Sequence, residues 1–217
     1  MKGGTAALPD YELLELFLYR SIPQRDVKPL AKKLLGEFGS LQAVLSAPHD
    51  DLLRVETVDG KNRKLKITDE IALDLRLMFE ATQRIMAAPV RRETVIASWS
   101  ALIAYVRVAM AHEGREQFRV MFLNKKNQLV QDEIMGRGTV DHAPAYPREI
   151  MRRALELDAS NVILVHNHPS GDPSPSRGDI DMTRAIVEAG KPLNITVHDH
   201  LIVGRDGIAS LRQLGLM

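Results

Sequence analysis

The 217-residue chain contains no cysteine. Disulfides, thiol nucleophiles, iron–sulfur clusters and cysteine-ligated zinc fingers are excluded together, so any metal must be held by His, Asp or Glu. An excess of charge of one sign is also lacking: 29 Lys+Arg against 28 Asp+Glu leave a formal net charge of +1. Nucleic-acid binding would therefore have to come from a local patch rather than from the field of the whole molecule. No apolar run approaches the roughly 18 residues that a membrane span needs. Charges interrupt the opening stretch MKGGTAALPDYELLELFLYR where a signal peptide carries its apolar segment. A cytoplasmic protein is expected, and the missing cysteines fit that compartment. What is present is 45% hydrophobic and 26% charged residues, the mix of a soluble globular protein rather than a disordered one. The length suits two domains, at about 100–200 residues each.

The first part of the chain reads as helices over residues 11–18, 27–38, 40–46 and 68–86, each with apolar residues at helical spacing. Asp10 stands as an N-cap, Pro29 falls in a first turn where proline is tolerated, and Gly39 follows as a stop. The stretch 87–93, with Pro89 and two arginines, breaks the pattern and reads as a linker. Beyond it, helices (98–112, 147–158, 176–189) alternate with strands (117–123, 128–135, 161–165, 195–203, 208–211). The order α-β-β-α-β-α-β-β implies an α/β domain with mixed strand directions. The expected division is a small all-α domain over 1–88, a linker over 89–97 and an α/β domain over 98–217.

Chemistry concentrates after the strand at 161–165, in Val165-His166-Asn-His168-Pro-Ser-Gly-Asp-Pro-Ser-Pro-Ser176-Arg-Gly-Asp179. Two histidines at i and i+2 on an extended backbone point the same way, so both rings can reach one ion. Asp179 opens a helix after a short Pro/Gly loop that can fold back. Two His and one carboxylate form a catalytic type of zinc set, with a fourth position left for water. Hydrolysis of an amide further needs a base and a donor for the developing oxyanion. Ser176 can supply the donor; Glu116, at the start of the strand 117–123, is the candidate base by position. Ser176-x-x-Asp179 also reads as a capping box, which would fix the geometry that a ligand needs. Asp199 and His200 either orient a ligand or form a polar pair at the sheet edge. Tyr146, Arg148 and Glu149 either fix a helix start or touch substrate.

His166-x-His168, seven residues, Ser176, two residues, Asp179 resembles the JAMM (MPN-plus) metalloprotease motif. The string HNHPSGDPSPS, with PRE at 147–149 and DHLIVG at 199–204, is similar to the RadC family in particular. The resemblance covers residue 98 to the end and implies an MPN/JAB-like mixed sheet with flanking helices. It implies His166, His168 and Asp179 as Zn2+ ligands, Glu116 as general acid/base and Ser176 as oxyanion donor. The function it implies is a zinc-dependent peptidase or isopeptidase, using zinc-bound water on a protein or peptide substrate. ELLELFLYR and DVKPLAKKLLGEFGS resemble the family's helical N-terminal region, where a helix-hairpin-helix carries a G-x-G turn. Here residues 55–61 hold one glycine, and Tyr146 stands where the family usually has His.

Two other classes stay open. A DNA-associated repair or recombination factor is suggested by the helical first domain, yet residues 1–90 carry as many acidic as basic side chains. A zinc-containing interaction module without turnover would show the same ligands.

Overall fold

A computed structural model describes residues 8–92, 94–95, 99–138 and 145–217. The chain divides into two compact units, Met1–Thr82 and Gln83–Met217. Among the described residues no helix is long and apolar enough to cross a membrane.

The first unit is built from α1 (Asp10–Ser21), α2 (Lys28–Phe38), α3 (Leu41–Ser46), α4 (His49–Leu53), a ribbon of β1 (Glu56–Val58) and β2 (Lys64–Lys66), and the start of α5 (Asp69–Arg92). Its core joins Leu14 and Leu18 of α1 to Leu30 and Leu34 of α2 and Ile71 and Leu75 of α5. Stops and starts follow local chemistry. Gly39 ends α2 at φ 87°, a left-handed conformation open to glycine. The Ser40 hydroxyl then accepts from the Ala43 amide and starts α3. Pro9, not Asp10, is the N-cap of α1, and Asp10 lies in the first turn.

Two elements depart from the sequence reading. The polar stretch before α5 forms an antiparallel ribbon, Glu56 opposite Lys66 and Val58 opposite Lys64, so the helical unit is not free of strand. Asp59 makes the turn: its carboxylate accepts from the amides of Lys61 (3.0 Å) and Arg63 (2.9 Å). Helix α5, in turn, continues through 87–92 instead of breaking. Proline removes one helical hydrogen bond, but Ala87 and Val90 are buried in the core of the second unit, which offsets that loss. Residues 93, 96 and 97 of the expected linker, and the expected helix start at Ser98, lie outside the described residues.

The second unit carries α6 (Trp99–Met110), β3 (Gln117–Leu123), β4 (Leu129–Arg137), α7 (Pro147–Glu156), β5 (Asn161–Asn167), α8 (Arg177–Gly190), a 3-10 turn (Lys191–Leu193), β6 (Thr196–Val203) and β7 (Ile208–Ser210). The sheet order is β4-β3-β5-β6-β7, with β5 and β6 parallel and the other pairs antiparallel. This is the mixed α/β sheet expected from the element order. Side chains alternate across it. Met121, Ile163, Val165 and Leu201 face α6, while Phe118, Val120, Val162 and Leu164 face α7 and α8. Strands β3 and β5 are covered on both faces, which is why they read as continuous apolar runs.

Candidate metal centre

The centre forms where β5 ends beside the first turn of α8. His166 lies opposite Phe118 of β3 and beside Ile202 of β6. His168 is held two residues on by its amide, which donates to Val203 O at 2.9 Å. Period-two alternation puts both imidazoles on the α8 side of the sheet. Phe118 stacks near His166, with ring centroids 6.2 Å apart and planes 12° apart.

Asp179 reaches the same place from α8. Ser176 is the N-cap: its hydroxyl accepts from the Asp179 amide at 3.2 Å, and the Ser176 amide donates to Asp179 Oδ2 at 2.7 Å. The Ser176 hydroxyl also donates to Oδ2, at 2.7 Å. The capping box therefore engages Oδ2, while Oδ1 lies 3.2 Å from His166 Nε2. Donor atoms of His166, His168 and Asp179 all fall within 4.8 Å of one another, a group that could hold a metal ion.

Hydrogen-bond directions decide which nitrogens face this point. The Thr183 hydroxyl donates to the carbonyl of Asp179 at 2.5 Å, and a carbonyl can only accept. Thr183 has one proton, so at 2.6 Å its oxygen must accept from His200 Nδ1–H. His200 is fully buried, and burial pushes it well below the ordinary imidazole range. Being neutral, it offers a bare Nε2, which accepts from His166 Nδ1–H at 2.8 Å. His166 is left with Nε2 as its open nitrogen. His168 Nδ1 lies 2.9 Å from the carbonyl of Asp172 and must donate to it, which turns its Nε2 inward as well. The two Nε2 atoms are 2.9 Å apart. Two lone pairs at that distance require a proton or a metal cation between them. The donor set, two imidazole nitrogens and one carboxylate oxygen, suits a divalent cation.

The electrostatics agree. The hydrogen bond to Asp179 raises His168 above the usual imidazole value, against the opposing effect of burial. Burial pushes Asp179 up, but its neighbours His166 and His168 and the hydrogen bond from Ser176 outweigh it and hold the carboxyl far below the carboxylate range.

Glu116 is buried just before β3, and its charge is near enough to help raise His168. It follows Phe118 and His166 onto the same face by alternation. Asp199 and His200 separate. His200 bonds a ligand candidate directly, whereas Asp199 faces away, accepting from Ser210 Oγ at 2.6 Å and the Arg212 amide at 3.1 Å. Neighbouring strand residues point to opposite faces, so only one of the two can orient His166. Tyr146 is the exposed N-cap of α7 and makes no side-chain cap; the Arg148 guanidinium lies 5.7 Å over its ring.

Two residues were not singled out for the site from sequence. Thr183 stands four residues after Asp179, hence on the same helical face, a signal that spacing does carry. Asn167 lies between the histidines and points to the other face; only the strand pairing reveals its partners. The family model described as the RadC-like JAB domain matches residues 96–216. With this side-chain group set on a mixed five-stranded sheet, the chain belongs to that family.

Proposed function

We propose that the chain is a zinc-dependent hydrolase of amide or isopeptide bonds in a protein or peptide substrate. The observation that carries this reading is the convergence of two inward Nε2 atoms and Asp179 Oδ1 on one point. His166, His168 and Asp179 would hold the ion, and three protein ligands leave a position open, as catalytic rather than structural sites do. When bound, zinc supplies Lewis acidity, polarising a carbonyl oxygen and acidifying water to near-neutral pKa. Glu116 takes the proton of the attacking water on its carboxylate and hands it to the leaving amine. The Ser176 hydroxyl turns from Asp179 Oδ2 towards the oxyanion that develops on the substrate. His200 and Thr183 keep Nε2 of His166 free of a proton throughout.

The first test is the metal content of protein purified without added metal and without a His tag. About one zinc per chain is expected from a single site; none, with none taken up on titration, overturns the reading. With zinc in place, Glu116→Gln should keep the metal and lose hydrolysis of a panel of peptide and isopeptide substrates. Retained hydrolysis in that variant would remove Glu116 from the mechanism. Zinc without turnover on any member of the panel would favour an interaction module.

A further inference from the structure

Asn167 lies between the two histidines and is 1% exposed. Its Oδ1 accepts from the Gln117 amide at 2.8 Å. Its Nδ2 donates to the carbonyls of Arg115 (3.2 Å) and Glu113 (3.1 Å). Every partner is a backbone group that can only donate or only accept, so the orientation of the side-chain amide is fixed.

The place of these partners along the chain gives the arrangement its meaning. The Arg115 carbonyl belongs to the peptide unit before Glu116, and the Gln117 amide to the unit after it. One side chain thus holds both peptide planes that flank the Glu116 Cα. The Glu116 carbonyl is held as well, accepting from the Gly138 amide at 2.8 Å. With both flanking planes fixed, the direction of the Cα–Cβ bond is fixed. The pairing of Phe118 with His166 is antiparallel, and two steps further along this register Glu116 falls opposite His168. Backbone pairing of β3 with β5 stops at Phe118 and His166; beyond it the Asn167 side chain takes over.

We propose that Asn167 is a positioning residue that aims Glu116 at the face carrying His166 and His168. A three-residue segment, 166–168, then sends two ligands to one side and the clamp for the base to the other. A displacement that moves the ligands moves the base with them. Only asparagine serves at this length. Aspartate keeps the acceptor for Gln117 but leaves the Arg115 and Glu113 carbonyls unpaired, and leucine supplies neither bond. The proposal rests on the reading of Glu116 as the base.

The test uses the full chain loaded with Co2+ and follows its visible d–d spectrum against pH. Removing a nearby negative charge eases proton loss, so Glu116→Gln should lower the midpoint of the spectral change by roughly half a pH unit or more. Asn167→Leu should lower it in the same direction, and the double variant should go no further than Glu116→Gln alone. Asn167→Ser serves the same purpose if the leucine variant does not fold. An Asn167→Leu midpoint equal to wild type, or a shift that adds in full to that of Glu116→Gln, overturns the proposal and leaves Asn167 a structural tie. A second measurement needs no variant: the Gln117 amide should exchange as slowly as the amides of the β3 interior, and free exchange overturns the clamp. A wild-type chain that takes up no Co2+ overturns the metal reading and the clamp's meaning with it. Co2+ uptake with no response to Glu116→Gln overturns the base assignment instead.

Discussion

One hydroxyl proton, on Thr183, decides which nitrogen His166 offers. It is committed to the Asp179 carbonyl, and the direction of each later bond to His200 and His166 follows. Thr183→Val removes the acceptor for His200 Nδ1–H without changing the volume of the side chain much. His200→Gln breaks the next link. Each should weaken zinc binding by about 10–100-fold, the usual effect of losing a partner that orients a metal-ligating histidine. A competition titration with a chromophoric chelator measures this, and unchanged affinity would show that the relay does not set the tautomer. The pH dependence has a definite sign. Asp179 raises His168 above the ordinary imidazole value, and an incoming ion must displace that proton. Apparent zinc affinity should therefore fall as pH is lowered through neutrality, with proton release seen in weakly buffered calorimetry.

At the scale of elements, the β1–β2 turn is organised around a single carboxylate. Burial pushes Asp59 up, but the amides of Arg63 and Lys61 and the guanidiniums of Arg63 and Arg25 outweigh it and bring it down to about 2. A depressed carboxylate stabilises the fold above its unfolded value and loses that contribution as pH falls through the folded one. Asp59→Asn should lower the urea midpoint at neutral pH, and the gap from wild type should close between about pH 4 and pH 2. The turn also bears on DNA. Two of its amides are spent on Asp59, so they are not free to meet a phosphate. We propose that this unit does not bind duplex DNA; binding at about 50 mM salt, where phosphate contacts are strong, would contradict this. The ribbon is hard to see in the sequence because three-residue strands, Glu-Thr-Val and Lys-Leu-Lys, are too short to show an alternating pattern among their polar neighbours. The capping box was easy to see, because Ser176 and Asp179 meet within one helical turn. His200 and Asn167 meet their partners across 34 and 50 residues, where strand register brings them together, and Thr183 meets His200 across 17, where α8 packs on β6.

The loop after His168 depends on a close approach of the same long-range kind. Gly171 sits at φ 101°, and a Cβ on Gly204 would lie 2.1 Å from the Gly171 carbonyl oxygen. The Gly171 amide donates to the carbonyl of His168 at 3.0 Å, so the loop cannot yield without disturbing that histidine. Gly204→Ala should cost about 2–4 kcal/mol in stability and weaken zinc binding as well. Thermal unfolding with and without zinc separates the two effects.

For the whole molecule, the open question is where the second unit begins. The sequence places a linker over 89–97, and the family match starts at residue 96. The contacts place the division between Thr82 and Gln83, inside α5. The difference is physical, because Ala87 and Val90 pack with Leu102, Val106 and Met110 of α6 in the core beneath the sheet. Val90 is fully buried, and a side chain of that size contributes about 1.5–3 kcal/mol. The last turns of α5 thus belong to the second unit. A fragment of residues 83–217 should then bind zinc as tightly as the full chain. A fragment of residues 96–217 exposes the surface that Ala87 and Val90 cover. It should lose about 2–4 kcal/mol, which lowers its Tm by roughly 10 °C. Calorimetry of the two fragments decides between the boundaries. Equal melting would show that the end of α5 adds nothing to that core and would return the boundary to the proline.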